Sequence, residues 1–183
     1  EFEAVTWDGL FEAVQSCPWE ELIPWDGRFW VAKANSVKSK LFSPRDFQTI
    51  IQKAIAVRLQ KAYHREGQRL PMTGADYALR VSAYKDVITI GIDTSGASLH
   101  KRGYRTAGVL APLRETTAAI LLQELFWKRK LPLHDPFCGS GTIPIEAFLY
   151  AHDIAPGLGR EFAYQNLKVY DADKALRIKK ELA

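Results

Sequence analysis

The chain of 183 residues is long enough for one medium domain or two small ones, and its 47% hydrophobic and 25% charged residues are typical of a globular protein. No apolar run approaches the roughly 18 residues that a membrane-spanning helix needs, and the acidic start Glu1-Phe2-Glu3 lacks the basic end of a signal peptide. Two cysteines without a CxxC pair and four scattered histidines exclude a disulfide framework and a zinc knuckle. We therefore expect a cytoplasmic protein that binds neither a membrane nor a metal.

Charge is distributed unevenly along the chain, although its net value is only +4. Residues 1–32 carry one basic and seven acidic side chains, residues 33–130 carry 18 basic and seven acidic ones, and residues 131–183 are nearly balanced. Binding to a polyanion requires a basic block of this kind, but many solvated surfaces are equally rich in lysine and arginine. Charge alone leaves both explanations open.

The first part of the chain predicts a mixture of helices and strands. Apolar residues recur at intervals of three and four in the predicted helices and alternate with polar residues in the predicted strands. The elements are, in chain order, a short helix capped by Asp8, a strand over 28–34, a helix from the cap residue Ser43 to about Tyr63, and two strands over 77–83 and 87–92 that form a hairpin.

The second part predicts the opening unit of a parallel α/β sheet. Its elements are a helix over 116–127, a short apolar strand over 131–137, a glycine loop over 138–142, a helix over 143–151 and a final polar helix over 173–182. Because the glycine loop joins a strand to a helix, it lies at the carboxyl edge of the predicted sheet, where such folds bind ligands.

The string Asp-Pro-Phe-Cys-Gly-Ser-Gly-Thr, residues 135–142, is the motif that indicates a chemistry. It is not a Walker A loop, because GxxxxGK[ST] is absent, and it is not the dinucleotide fingerprint, because Pro144 stands where the third glycine would be. An isolated Gly-Ser-Gly could be a tight turn without a ligand. The eight residues together resemble motif I of the amino methyltransferases that use S-adenosylmethionine.

The resemblance extends over most of the chain, from about Trp19 to Gly159. The segments that carry it are Ser36 to Asp46, Gly96 to Arg105, Ala111 to Leu122, Asp135 to Ala147 and Ile154 to Phe162. In this order they resemble the THUMP-containing large-subunit rRNA guanine-N2 methyltransferases. The resemblance implies an α+β THUMP domain that binds RNA over 1–107. It also implies the first strand, loop and helix of a Rossmann-like α/β methyltransferase domain over 108–183.

The same resemblance implies site residues. S-adenosylmethionine would be held by the motif I residues Asp135, Pro136, Phe137, Cys138, Gly139, Ser140, Gly141 and Thr142, and by Glu115 and Thr116 at the start of the preceding helix. For Glu115 and Thr116, a capping or ion-pair role is the alternative. RNA phosphates would be neutralised by Lys33, Lys38, Lys40, Lys101, Arg102 and Arg105, each of which could instead be a solvated surface charge. Tyr104 could stack on a base or belong to the core, Glu146 is predicted to be structural, and Cys138 is predicted to be a small packed residue.

Family members methylate the N2 amine of a guanine in 23S rRNA with an Asn-Pro-Pro-Tyr motif downstream of motif I. None of the nine prolines of this chain is adjacent to another, so no catalytic residue is predicted and we expect the 183 residues alone to be inactive. Residues 164–182 would belong to an insert that the family has before its second strand. Three alternatives remain: a non-catalytic RNA-binding module, an enzyme acting on tRNA, and a nucleotide-binding oxidoreductase.

Overall fold

A computed structural model of the chain describes residues 1–105 and 112–181. The contacts divide them into two compact units, which are described separately. The first unit comprises Glu1–Gly96 and Ala163–Tyr170, and the second comprises the described residues between Ala97 and Phe162 and from Asp171 onward. Among all described residues, no helix is long and apolar enough to cross a membrane, and no group of His, Cys, Asp and Glu could hold a metal ion.

The first unit is a four-stranded sheet with two helices. The strands are β1 (Phe2–Glu3), β2 (Arg28–Val37), β3 (Asp76–Tyr84) and β4 (Val87–Ile92), and the helices are α1 (Trp7–Ser16) and α2 (Pro44–Ala62). The strand order is β1-β4-β3-β2, with β3 parallel to β2 and antiparallel to β4. The predicted hairpin is confirmed, and Lys85 and Asp86 at its tip both have the positive φ that a type I′ turn requires.

One apolar core holds this unit together. Alternate residues of β3 are buried and belong to the same core as the inward-facing residues of both helices: Tyr77, Leu79, Val81 and Ala83 from β3, Phe47, Ile51, Ile55 and Leu59 from α2, and Leu10 and Val14 from α1. The predicted start of α2 is confirmed, because the Ser43 hydroxyl accepts a bond from the Asp46 N–H at 3.4 Å. The predicted cap of α1 is wrong. The Thr6 hydroxyl accepts from the Gly9 N–H at 3.2 Å, and Asp8 lies inside the first turn, where its negative charge is favourable.

A segment late in the chain also belongs to the first unit. The Tyr77 hydroxyl donates to the Asn166 carbonyl at 2.5 Å, and the Lys168 N–H donates to the Leu22 carbonyl at 3.2 Å. Residues 97–105, by contrast, belong to the second unit. The division predicted from the sequence, into 1–107 and 108–183, does not place residues 163–170 in the first unit or residues 97–105 in the second. Both assignments depend on contacts between distant parts of the chain, which sequence patterns do not show. The boundary at residue 107 lies outside the described residues and stays a prediction.

An ion pair between the short 3-10 helix Trp19–Glu21 and α2 makes the first unit sensitive to acid. The Arg58 guanidinium bonds both carboxylate oxygens of Glu20 and holds its pKa below the ordinary value of 4.5. This contribution to stability is therefore complete above pH 4.5 and is lost as pH falls through the lower pKa of the folded state.

We expect Glu20→Gln to lower the thermal midpoint at pH 7 by about 3 °C, the size of effect expected for a partly exposed ion pair. Because the variant has no Glu20 carboxylate to protonate, its thermal midpoint should then fall less than that of the parent protein below pH 4.5. Circular dichroism melting between pH 7 and pH 3 measures both effects. Glu12→Gln, which removes an exposed acid from α1, is the control. Identical acid profiles for the two variants would show that the pair does not stabilise the fold.

The second unit contains α3 (Glu115–Glu124), α4 (Thr142–Ala151) and α5 (Ala172–Glu181), and its described residues include no β-strand. The three predicted helices are thus present, but the predicted strand over 131–137 is wrong. Its backbone N–H groups bond locally instead: Leu131 donates to the Lys128 carbonyl at 2.8 Å, and Phe137 donates to the Asp135 carboxylate at 3.1 Å. A strand needs a neighbouring strand for its hydrogen bonds, and the described part of this unit supplies none.

A glycine loop with a buried polar support as the candidate functional site

The glycine loop reverses the chain at the start of α4. Gly139 and Gly141 have φ values of 52° and 73°, which L side chains rarely adopt, and the Gly141 N–H closes the turn on the Cys138 carbonyl at 2.7 Å. Gly141 is also the N-cap of α4, and no side chain caps this helix end. The N–H groups of Thr142 and Ile143 therefore have no side-chain acceptor, an arrangement that favours an external one such as a carboxylate.

Most of the loop faces solvent, whereas its last residue is anchored. Phe137 is 92% exposed, and Cys138 and Gly139 are exposed as well, but Thr142 is only 3% exposed. The prediction that Cys138 is a packed residue is therefore wrong, because no other element of the described structure covers that side of the loop.

The anchor is a chain of polar contacts behind the loop. Arg105 donates to the Thr142 hydroxyl at 3.0 Å, and the Ser140 and Thr142 hydroxyls share a hydrogen bond of 3.0 Å. Arg105 also lies 3.5 Å from the carboxylate of the buried Glu115, the first residue of α3, and donates to the Leu113 carbonyl at 3.1 Å. Arg105 thus connects the start of α3 to the start of α4.

A second buried carboxylate lies one turn further along α4. Glu146 is 4% exposed, accepts from the Tyr104 hydroxyl at 3.0 Å, and receives two bonds of 3.4 Å from the Arg102 guanidinium. Burial raises the pKa of Tyr104, and its bond to the Glu146 carboxylate raises it further. Tyr104 is therefore a neutral donor at physiological pH. The prediction that Glu146 is structural agrees with these contacts.

The structure gives Arg102 and Arg105 an internal role that the sequence did not indicate. Both were predicted to contact RNA phosphates, but both are largely buried and their charges are matched by Glu146 and Glu115. A buried carboxylate without a matching cation destabilises the folded state, so each arginine stabilises the carboxylate that it faces. The signal that could have found these pairs is an acid within an apolar helix, as Glu146 is in Ile-Pro-Ile-Glu-Ala-Phe-Leu.

Arg160 is a further buried cation that the sequence prediction missed. Its guanidinium donates to the carbonyls of Ser98 and Lys101 at 3.0 and 3.2 Å. Gly103 lies so close to Gly159 that a Cβ there would be 2.4 Å from the Gly159 carbonyl oxygen. These contacts hold residues 97–105 in place and so position the two arginines that support the loop.

The remaining predicted RNA contacts are surface residues. Lys33 lies on β2, and Lys38 and Lys40 lie in the connection between β2 and α2; all three are exposed. Lys101 is exposed in the second unit. Thr116, predicted to contact a cofactor, is half-buried in the first turn of α3. The roles of these residues stay predictions.

Comparison with known proteins identifies both halves of the chain. A family model described as the THUMP domain matches residues 4–93, and one described as "RMKL-like, methyltransferase domain" matches residues 102–182. These matches confirm the domain types that the sequence predicted, although the first strand of the methyltransferase domain is not formed.

Named relatives agree with this assignment. The chain is 44% identical to YpsC of Bacillus subtilis (strain 168), which is named as a candidate RNA methyltransferase; the match covers 90% of this chain and 43% of that protein. It is 38% identical to the ribosomal RNA large subunit methyltransferase K/L of Syntrophotalea carbinolica, over 88% of this chain and 23% of that protein.

A solved structure is similar in fold as well. The structure of SMU.472, a candidate methyltransferase complexed with SAH, matches with a TM-score of 0.84 and 41% identity, over 99% of this chain and 48% of that one. The chain therefore spans less than half the length of each of these three relatives.

Proposed function

Because the chain joins a THUMP domain to sequence of an RMKL-like methyltransferase domain, we propose that the whole protein is an RNA methyltransferase that uses S-adenosylmethionine. We propose further that it modifies the N2 amine of a guanine in 23S rRNA. The large-subunit rRNA substrate is supported by the K/L relatives and by the resemblance of the motifs, whereas the N2 amine rests on that resemblance alone. The observation that carries the proposal is the glycine loop, which presents bare backbone and uncapped N–H groups at the start of α4.

The residues present fit the amino-acid end of S-adenosylmethionine. The N–H groups of Thr142 and Ile143 have no side-chain cap, and a helix N-terminus favours a carboxylate such as that of the methionine moiety. Residues 135–142 would hold this end of the cofactor, whose sulfonium supplies an electrophilic methyl group when bound. We assign Glu115 to positioning, because its carboxylate faces Arg105.

Arg105, Ser140 and Thr142 would fix the loop before the cofactor arrives. A loop that is already ordered by internal hydrogen bonds loses less entropy on binding. In the first unit, the exposed Lys33, Lys38 and Lys40 would contact RNA phosphates, which position the substrate without reading its sequence.

The test is methyl transfer from tritiated S-adenosylmethionine by the full-length protein, with 23S rRNA, tRNA and double-stranded DNA offered separately. We expect label in 23S rRNA alone, and N2-methylguanosine after digestion to nucleosides. Label in tRNA would contradict the rRNA assignment, and label in N6-methyladenine would contradict the guanine assignment. Label in DNA alone, or none at all, would contradict the proposed activity.

A further inference from the structure

Two connections of the first unit are tied together at one end of its sheet. The Lys85 N–H donates to the Val37 carbonyl at 3.2 Å, and the Asp86 N–H donates to the Ser39 hydroxyl at 3.0 Å. The Asp86 carboxylate in turn accepts from the Lys40 N–H at 2.7 Å. The connection between β2 and α2 and the turn between β3 and β4 therefore form one ordered surface.

Large apolar side chains of this surface point into solvent. Phe42 is 76% exposed, and Val37 and Tyr84, which are paired in the β2–β3 register, are each 52% exposed. Single exposed apolar residues are common in proteins, but here Val37 and Tyr84 are the last residues of β2 and β3 and Phe42 lies in the tied connection, so this end of the sheet carries an apolar patch. The Lys85 ammonium lies 5.3 Å from the centre of the Tyr84 ring, so this ring already attracts a cation.

Four cations lie close in sequence to these apolar residues. Lys38, Lys40, Arg45 and Lys85 are all exposed, and none of them forms an ion pair with any residue in 1–105 or 112–181. A second copy of the chain would bring like charges together here, and like charges across an interface are unfavourable. A partner with dense negative charge and flat apolar faces fits this surface instead.

We propose that this patch binds unpaired RNA, with Phe42 and Tyr84 stacking on bases and the four cations contacting phosphates. The proposal rests on the RNA substrate proposed above and narrows it to loops, bulges or ends. Bases in a duplex have both faces covered, whereas unpaired bases can stack on exposed aromatic rings.

The test is the affinity of the chain for two fluorescent RNAs, an unstructured strand of about 12 alternating cytidines and adenosines and a blunt duplex of about the same length. We expect Phe42→Leu and Tyr84→Leu each to weaken binding of the single strand about tenfold, which corresponds to the loss of one base stack. Binding of the duplex should stay within about twofold, because leucine keeps the apolar volume and the charges are unchanged. Both changed residues are exposed, and circular dichroism melting checks that the variants fold.

Two further variants separate stacking from charge. Trp25→Leu is the matched control, because Trp25 is also partly exposed but precedes β2, at the other end of that strand. It should leave both affinities unchanged. Lys38→Gln should weaken binding of both RNAs and reduce the salt dependence of each.

The outcomes distinguish this proposal from the proposed function. If the chain binds RNA and the two leucine variants bind like the parent, the patch is not a stacking surface but the RNA substrate stands. If the parent chain binds neither RNA, the patch is not an RNA-binding surface and this proposal fails, whereas the proposed function is decided by the methyl-transfer assay of the full-length protein. If Phe42→Leu abolishes self-association in sedimentation and leaves RNA affinity unchanged, the patch is an interface between copies and the proposal is overturned.

Discussion

Arg102→Met is expected to reduce the free energy of unfolding of the second unit by about 3 kcal/mol, because removing one partner of a buried ion pair leaves the other charge unmatched. Glu146 is 4% exposed and would keep only the Tyr104 hydroxyl as a donor. Hydrogen exchange of the α4 amides, followed by mass spectrometry, measures the loss within this unit alone. The whole loss in the free energy of unfolding should appear as faster amide exchange throughout residues 142–151.

Two further variants identify the cause of that loss. Lys101→Met removes a neighbouring exposed cation and should leave exchange unchanged. The double variant Arg102→Met with Glu146→Gln removes the stranded charge and should be more stable than Arg102→Met alone. If Arg102→Met instead exchanged like Lys101→Met and lost RNA affinity, the surface role predicted from the sequence would be the correct one.

The elements of the first unit could be predicted because their signals are local. Ser43 and Pro44 mark the start of α2 within two residues, and the alternation along β3 and β4 fixes which side chains face the core. The sheet order could not be read in the same way. It depends on β2 lying parallel beside β3, which requires the connection through α2 and has no signature within either strand.

The second unit shows where sequence patterns are insufficient. The apolar run over 131–137 has the composition of a strand, but composition does not supply the neighbour that a strand must pair with. Arg102 and Arg105 have the composition of a basic surface, but their partners Glu146 and Glu115 lie 44 and ten positions away. The sequence predicts the glycine loop, because eight consecutive residues carry the motif. It does not predict the contacts of Arg105 with Glu115 and Thr142 that support the loop, because these residues lie in three separate segments.

Gly141→Ala is expected to reduce methyl transfer by the full-length protein about a hundredfold, the scale of loss that follows a displacement of about 1 Å at a reacting centre. A Cβ at this position would meet only the Ile145 Cδ1 atom, at an ordinary 3.7 Å, so the fold has room for it. The φ of 73° is the difficulty, because it costs a residue with a side chain about 1–2 kcal/mol. The loop would relax away from the geometry that exposes the first N–H groups of α4.

Gly67→Ala is a matched control for this strain. Gly67 has the same φ of 73° and no atom within 4 Å of the added Cβ, but it belongs to the first unit. Both variants should therefore lose similar stability, whereas only Gly141→Ala should lose turnover and the thermal shift produced by S-adenosylhomocysteine. Equal turnover of the two variants would mean that the conformation of Gly141 is needed for the turn into α4 and not for cofactor binding. The glycine loop would then no longer support the proposed function.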